Sequence, residues 1–185
     1  MFWMCNDLMW SDGEGLGQLL ALLGVRPVWR GGVVDGHEVI PLKELGRPRI
    51  DVTVRVSGLL RDSFPEAVRF LDNAVQAVAT LDEDDEGNSV RKHCRERLKQ
   101  WQQPEEDQSA WRKATLRVFS SRPGVYQGGV DLAVHASAWR TEADLADVFL
   151  RWNGYAYGNG VWGEEEVPAL TASLSNVDIT YNKVV

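Results

Sequence analysis

The sequence predicts an α/β or α+β fold in which a few-stranded sheet is flanked by helices. Three observations carry this. Ile50, Val52, Val54 and Val56 alternate with Asp51, Thr53 and Arg55, the period-2 pattern of a strand with one buried face. After it, Val68, Leu71, Val75, Val78 and Ala79 form one apolar stripe at helical spacing. Further helical patterns follow, but few further strands, in a chain of 185 residues. That mixture indicates helices layered on a sheet rather than a bundle. A sheet of two or three strands is hard to stabilise alone, so the chain is expected to be an incomplete piece of a larger domain.

Taken in order, Leu16 to Leu23 reads as a short helix stopped by Gly24. Arg30-Gly31-Gly32 and Asp35-Gly36 are turn signals, so a small hairpin is expected within Val28 to Ile40. Gly46-Arg47-Pro48 leads into the strand Ile50 to Val56, and Arg61-Asp62 falls in a charged turn behind it. Ser63 with Glu66 has the form of a capping box, and Pro65 is tolerated in a first helical turn. Asn88 is placed to cap a second helix, Ser89 to Gln102. Ser109 to Val118 reads as another helix, and the Pro- and Gly-punctuated stretch Ser120 to Gly129 as a loop. Thr141 with Asp144 repeats the capping-box pattern before Leu145, Val148, Phe149 and Trp152. Tyr155 to Tyr157 is extended, Gly158 to Gly163 a turn, Val167 to Leu174 helical, and Val177 to Thr180 the start of a strand.

Composition narrows the function classes. With 44% apolar residues and eight tryptophans the chain can bury a real core. Its net charge of −7 offers no broad cationic face for nucleic acid. Cys5 and Cys94 lack CxxC spacing, which argues against a disulfide framework or structural zinc and for a reducing cytoplasm. No apolar run is long enough to span a bilayer, and Met1 to Trp10 lacks the basic start and cleavage site of a signal peptide. The acidic runs at 82–86, 105–107 and 164–166 read as solvated loops or helix starts.

Arg61 and Asp62 are the first candidates for chemistry, because ligands of open α/β sheets collect at the carboxyl ends of strands. Either Arg61 binds a backbone carbonyl or Asp62, or it faces a cleft and pairs with a ligand carboxylate. Arg91, Lys92 and His93 stand early in a helix, where cations oppose the dipole; they form either a solvated basic face or an anion site. His93 also has the chemistry of a proton acceptor near neutral pH. His37 and His135 have no acidic or cysteine neighbour at ligand spacing. The loop Arg122 to Gly129 lacks the Lys-Ser/Thr ending of a phosphate cradle and reads as a tight turn. Trp139, Trp152, Tyr155, Tyr157 and Trp162 either pack in the core or line a flat apolar pocket. No Ser-His-Asp spacing, nucleophile elbow, Walker motif or GxGxxG occurs, so hydrolase and dehydrogenase readings lack support.

Gly46 to Pro65, Leu22 to Trp29, Val39 to Leu45, Leu81 to Glu83, Asn88 to His93, Arg117 to Ser120, Pro123 to Tyr126 and Trp152 to Gly158 together resemble one family in one order. This is the large subunit of the ATP-dependent chelatases: CobN of cobaltochelatase, from aerobic cobalamin synthesis, and the H subunit of magnesium chelatase. The resemblance covers about Leu16 to Asp178, so residues 1–15 are set apart as a start outside it and 16–185 as a partial large-subunit domain. It implies a ligase-type metal insertion into a tetrapyrrole, hydrogenobyrinic acid a,c-diamide or protoporphyrin. The metal, cobalt or magnesium, is a substrate, and the cobalt branch looks nearer. It also implies AAA+ partner subunits that hydrolyse ATP, and no cofactor held by this chain. The family's His-Gly motif, usually given the metal and tetrapyrrole site, and its acid-rich following segment have no counterpart here, and Cys94 to Gln108 looks like an insertion. The chain is therefore expected to be an internal segment. Catalytic residues are unassigned, and Arg61, Asp62, Arg91, Lys92 and His93 are the substrate-binding candidates. A non-catalytic interaction module, or an inactive remnant of such a subunit, is the alternative.

Overall fold

The computed structural model describes residues 1–182. The chain opens with β1 (Phe2–Trp3), α1 (Cys5–Trp10), α2 (Glu14–Leu23) and the strands β2 (Val25–Arg30) and β3 (Val33–Val39). Then come α3 (Leu42–Leu45), β4 (Val54–Val56), α4 (Gly58–Ser63), α5 (Pro65–Ala79), α6 (Ser89–Gln100) and α7 (Gln108–Ala114). The last third holds β5 (Val118–Ser120), α8 (Val130–His135), α9 (Glu142–Asn153), β6 (Tyr155–Gly158), β7 (Val161–Glu165) and α10 (Val167–Leu174).

The predicted α/β class holds, with a larger sheet than expected. Among the described residues the main sheet has five strands in the order β1-β4-β5-β6-β7. β1 and β5 run parallel to β4, while β6 is antiparallel to β5 and β7 to β6. The register sets Val54 against Val118 and Arg55 against Phe119. β2 and β3 form the expected hairpin, apart from this sheet. On one face of the sheet, Val54 and Val56 meet the stripe of α5, all of whose five members are buried, and Leu19, Leu20 and Leu23 of α2. Burying each such side chain contributes on the order of 1.5–3 kcal/mol. A smaller cluster of Leu116, Phe119, Ala156, Ala169 and Leu170 packs against Phe149 and Leu150 of α9.

Several local signals act as read. Gly24 stops α2 at a φ of 73°, a conformation open chiefly to glycine. The Asn88 side chain accepts from the Arg91 amide at 3.0 Å and starts α6, and Thr141 with Asp144 closes a true capping box on α9.

Other expectations are corrected. The central strand begins at Val54 and not Ile50, because β5 supplies a ladder partner only from Val118. Arg61 and Asp62 lie within α4, not in a turn: the Ser57 hydroxyl accepts from the Leu60 amide at 3.2 Å and caps that helix. Ser63 therefore caps nothing, and Phe64 precedes α5 without a side-chain cap. The helix over Ser109 to Val118 ends at Ala114, and Val118–Ser120 is instead the buried strand β5. The turn over Gly158 to Gly163 shrinks to a tight reversal, and Val161–Glu165 pairs with β6. Val177 to Thr180 forms no strand; the chain reaches the sheet further on, where Tyr181 accepts from the Phe2 amide at 2.9 Å. Residues 1–15, set apart as a start outside the resemblance, pack into the same fold: β1 is one edge strand of the main sheet, and the Asp7 carboxylate accepts from Trp3 Nε1 at 2.9 Å and from the Gly15 amide at 2.7 Å.

Candidate functional site

A cavity of about 690 Å³ opens beyond the carboxyl end of β5, walled by the loop that follows this strand and by the end of α9. Arg122, Val125, Tyr126 and Gln127 line the loop side; Arg151, Trp152 and Tyr155 line the other. Ligands of open α/β sheets bind at this edge, where connections leave the strands on both sides of a crevice. The parallel part of the sheet also gives way here to an antiparallel one, between β5 and β6.

Arg61 builds this cavity without facing it. Its side chain is wholly buried and forms a bidentate pair with Asp62, at 2.7 and 2.8 Å. Its Nη1 donates to the carbonyls of Ser121 at 2.7 Å, Arg122 at 3.2 Å and Val125 at 3.4 Å. The Tyr157 hydroxyl donates to the same Ser121 carbonyl at 2.6 Å, and the Ser121 hydroxyl to Val125 O at 2.5 Å. One buried guanidinium thus replaces the backbone partners that a loop of this shape cannot supply itself. The Arg61 hydrogen bonds hold the Asp62 carboxyl below the usual carboxylate range. Asp62 in turn bonds the Tyr126 phenol and pushes its pKa up. Burial raises the Tyr157 phenol to about 12, so it stays a donor throughout the physiological range. Of the two readings open for Arg61, carbonyl and Asp62 binding is the one the geometry displays.

The opposite wall depends on a glycine. Gly129 sits at a φ of 83°, and a Cβ there would lie 2.4 Å from Trp152 Cγ. Gly129→Ala is expected to destabilise the chain by about 2–4 kcal/mol, adding backbone strain to overpacking. It should also push the Trp152 ring out of the cavity wall. A urea melt and the Trp emission spectrum check both.

Arg91, Lys92 and His93 stand at the other end of the sheet. Arg91 Nη1 donates to Leu81 O at 2.6 Å, Glu83 O at 3.2 Å and the Asp82 carboxylate at 3.0 Å, closing the segment after α5. Lys92 is exposed. The Nδ1 of His93 lies 2.8 Å from Asp51 Oδ2, three residues before β4 begins. Asp51 also takes a two-pronged bond from Arg117, at 2.7 and 2.9 Å, and the Arg117 side chain is fully buried. The structure therefore parts the sequence candidates: Arg61 and Asp62 brace the cavity's loop from behind without lining it, and Arg91, Lys92 and His93 do not reach it.

Sequence reasoning missed Asp51 and Arg117, since a polar residue on an alternating strand reads as its solvent face. The signal available was their position, each one step or a few before a parallel strand. Although burial disfavours its charge, Arg117, with His93, holds the Asp51 carboxyl well below the ordinary value. A carboxyl whose pKa falls on folding stabilises the fold above its unfolded pKa, and that contribution fades as pH drops below about 4. The stability gap between the wild type and Asp51→Asn should hold from pH 6 to about 4 and narrow steadily below that, and a gap unchanged down to the lowest pH at which both fold would contradict this assignment.

Of the aromatic candidates, Trp152 and Tyr155 line the cavity. Tyr157 is buried, with Trp162 edge-on to it at 5.2 Å, and the exposed Trp139 lies elsewhere. Among the described residues no three His, Cys, Asp or Glu side chains are grouped to hold a metal ion. Cys5 and Cys94 are both free and buried, and no helix among those residues is long and apolar enough to cross a membrane.

Known proteins match this chain along its whole length. The profile of the CobN/Magnesium Chelatase family covers residues 1–185. The uncharacterized protein MJ1441 of Methanocaldococcus jannaschii is 52% identical over 185 residues, which is 100% of this chain and 14% of that protein. The aerobic cobaltochelatase subunit CobN of Pseudomonas aeruginosa is 48% identical over 153 residues, or 81% of this chain and 12% of that subunit. The solved catalytic subunit of cobaltochelatase from Mycobacterium tuberculosis superposes with a TM-score of 0.86 at 41% identity, over 93% of this chain and 14% of that one. The chain thus spans about one-seventh of the length of the first of these relatives.

Proposed function

This chain belongs to the CobN/magnesium chelatase family, and we propose that it supplies one wall of the tetrapyrrole site in a cobaltochelatase-type large subunit. The single observation that carries this is the cavity at the sheet's carboxyl edge, with Tyr126, Trp152 and Tyr155 on its walls and Arg122 and Arg151 among its lining. Aromatic faces stack on a flat macrocycle, and guanidinium groups bind its peripheral carboxylates. Within the whole subunit the tetrapyrrole is held here while the metal substrate, cobalt before magnesium, is inserted. The family resemblance implies separate AAA+ subunits that hydrolyse ATP, and the lack of a phosphate-binding motif in this chain agrees with it. Metal insertion must also remove two pyrrole protons, and the base for that step lies outside this cavity's lining, which holds no histidine or carboxylate. The free, buried cysteines suit a reducing cytoplasm.

Titration of the chain with hydrogenobyrinic acid a,c-diamide, and separately with protoporphyrin, tests the reading through tryptophan quenching. Saturable quenching that is largely lost in Trp152→Leu is expected, with the diamide bound more tightly. The alternative of a docking module without a ligand site is favoured by the exposed apolar tip of the β2–β3 hairpin, where Trp29 and Val33 are 63% and 67% accessible. No quenching by either tetrapyrrole would select that alternative.

A further inference from the structure

Most of the buried or half-buried arginines of this fold have a carboxylate. Arg49 pairs with Glu83 at 2.7 Å, Arg61 with Asp62 at 2.7 Å, Arg112 with Asp72 at 2.8 Å and Arg117 with Asp51 at 2.7 Å. Arg97 also lacks one; its Nη1 and Nη2 donate to the carbonyls of Ala114 and Leu116 and to the Ser173 hydroxyl, and its buried Nε has no partner among the described residues, but it lies away from the cavity. Arg55 differs. It lies at the middle of β4, on the face opposite Val54 and Val56, and is partly buried. Among the described residues its recorded hydrogen bond is from Nε to a neutral acceptor, Asn153 Oδ1, at 3.0 Å, and no carboxylate pairs with it. Burial, and then the charge of Arg61, lower its pKa. A sequestered cation beside a second cation, with no anion, weakens a fold, and such an arrangement suits a group that an anion completes.

Its position says which anion. Asn153 also donates to Gly128 O at 3.2 Å, joining the loop to the end of α9. Gln127 and Trp152, the residues just before this pair in sequence, line the cavity. A Cβ on Gly128 would lie 3.5 Å from Arg55 Nη2, an ordinary contact distance, so the loop passes directly against the guanidinium at this seam. We propose that Arg55, which stands behind the cavity wall at the Gly128–Asn153 seam and not among the residues that line it, is the cavity's anion-receiving group, reached through that seam by a peripheral carboxylate of the macrocycle. This rests on the tetrapyrrole reading and adds to it which chemical group of the ligand is bound and by which residue.

The test compares protoporphyrin with its dimethyl ester, on the full chain and on Arg55→Met. The wild type should prefer the diacid by about tenfold or more, the scale of a charge-assisted bidentate bond. Arg55→Met should bind diacid and ester alike and, without ligand, melt at or above the wild-type temperature. Arg55→Lys, which keeps the charge but not the fork, should lose most of the preference and serves if the methionine variant does not fold. A diacid preference unchanged in these variants would overturn the proposal. So would a lowered melting temperature with unchanged binding, which would make Arg55 a mere staple for Asn153. If neither porphyrin binds the wild type, the tetrapyrrole reading fails instead, and melts in citrate against chloride at equal ionic strength then decide the anion site. A citrate-dependent rise seen in the wild type and absent in Arg55→Met supports it, and equal behaviour overturns it.

Discussion

Arg61→Ala is expected to cost the fold about 3–5 kcal/mol and to abolish tetrapyrrole binding. The substitution strips the carbonyls of Ser121, Arg122 and Val125 of a donor that is itself fully buried. It also opens a void between the Tyr126 and Tyr157 rings, whose centroids lie 5.9 and 5.3 Å from the guanidinium carbon. The Asp62 carboxylate, about one-third exposed, can turn to water, so its share of the cost is small. The loop carrying Arg122 to Gln127 then loses its shape, and the cavity with it. Arg61→Lys keeps a charge but not the fork that reaches several acceptors, and should retain part of the stability with little of the binding. Urea melts and quenching titrations of the two variants separate these effects. A stable Arg61→Ala chain with full affinity would show that the loop is held by other means.

Asp51→Asn is expected to destabilise by a similar amount, about 3–5 kcal/mol, for a different reason. It leaves Arg117 charged, fully buried and without its counter-ion, while Asp51 itself is only 8% exposed. The nearby Arg97, its pKa lowered to about 10 by burial and by Arg117, would then face an uncompensated like charge. His93→Ala, by contrast, removes one hydrogen bond from a partly exposed ring and should cost about 1 kcal/mol. Because this network sits before the strands, neither substitution should change the affinity of the folded chain for a tetrapyrrole. Denaturant melts together with titrations under stabilising conditions give both quantities.

These contrasts mark what could be read along the chain. The α5 stripe, the Asn88 cap, the Thr141 capping box and Gly24 are local: their residues act within a turn or two of one another. β5 was hidden because its three residues are all buried, leaving no alternation to detect. β1 is two residues long and gains its meaning only from pairing with β4. Arg61 stood out as a charged residue behind a strand, yet its task depends on acceptors 60 to 64 positions away. Asp51 read as one polar step of a half-exposed strand, and its partner Arg117 is 66 residues distant. Trp152, Tyr155 and the loop at Arg122 to Gly129 each drew notice separately, but only the antiparallel turn of the sheet at β6 brings them to one cavity.

Backbone amide hydrogen exchange of the full chain, with and without saturating tetrapyrrole, tests most directly where the ligand sits. Slowed exchange confined to residues 122–128 and 150–155, with the α6 segment around His93 unchanged, is the predicted result. Protection centred on His93 and Asp51, or none anywhere under conditions that saturate quenching, would contradict the assignment of the site to this cavity.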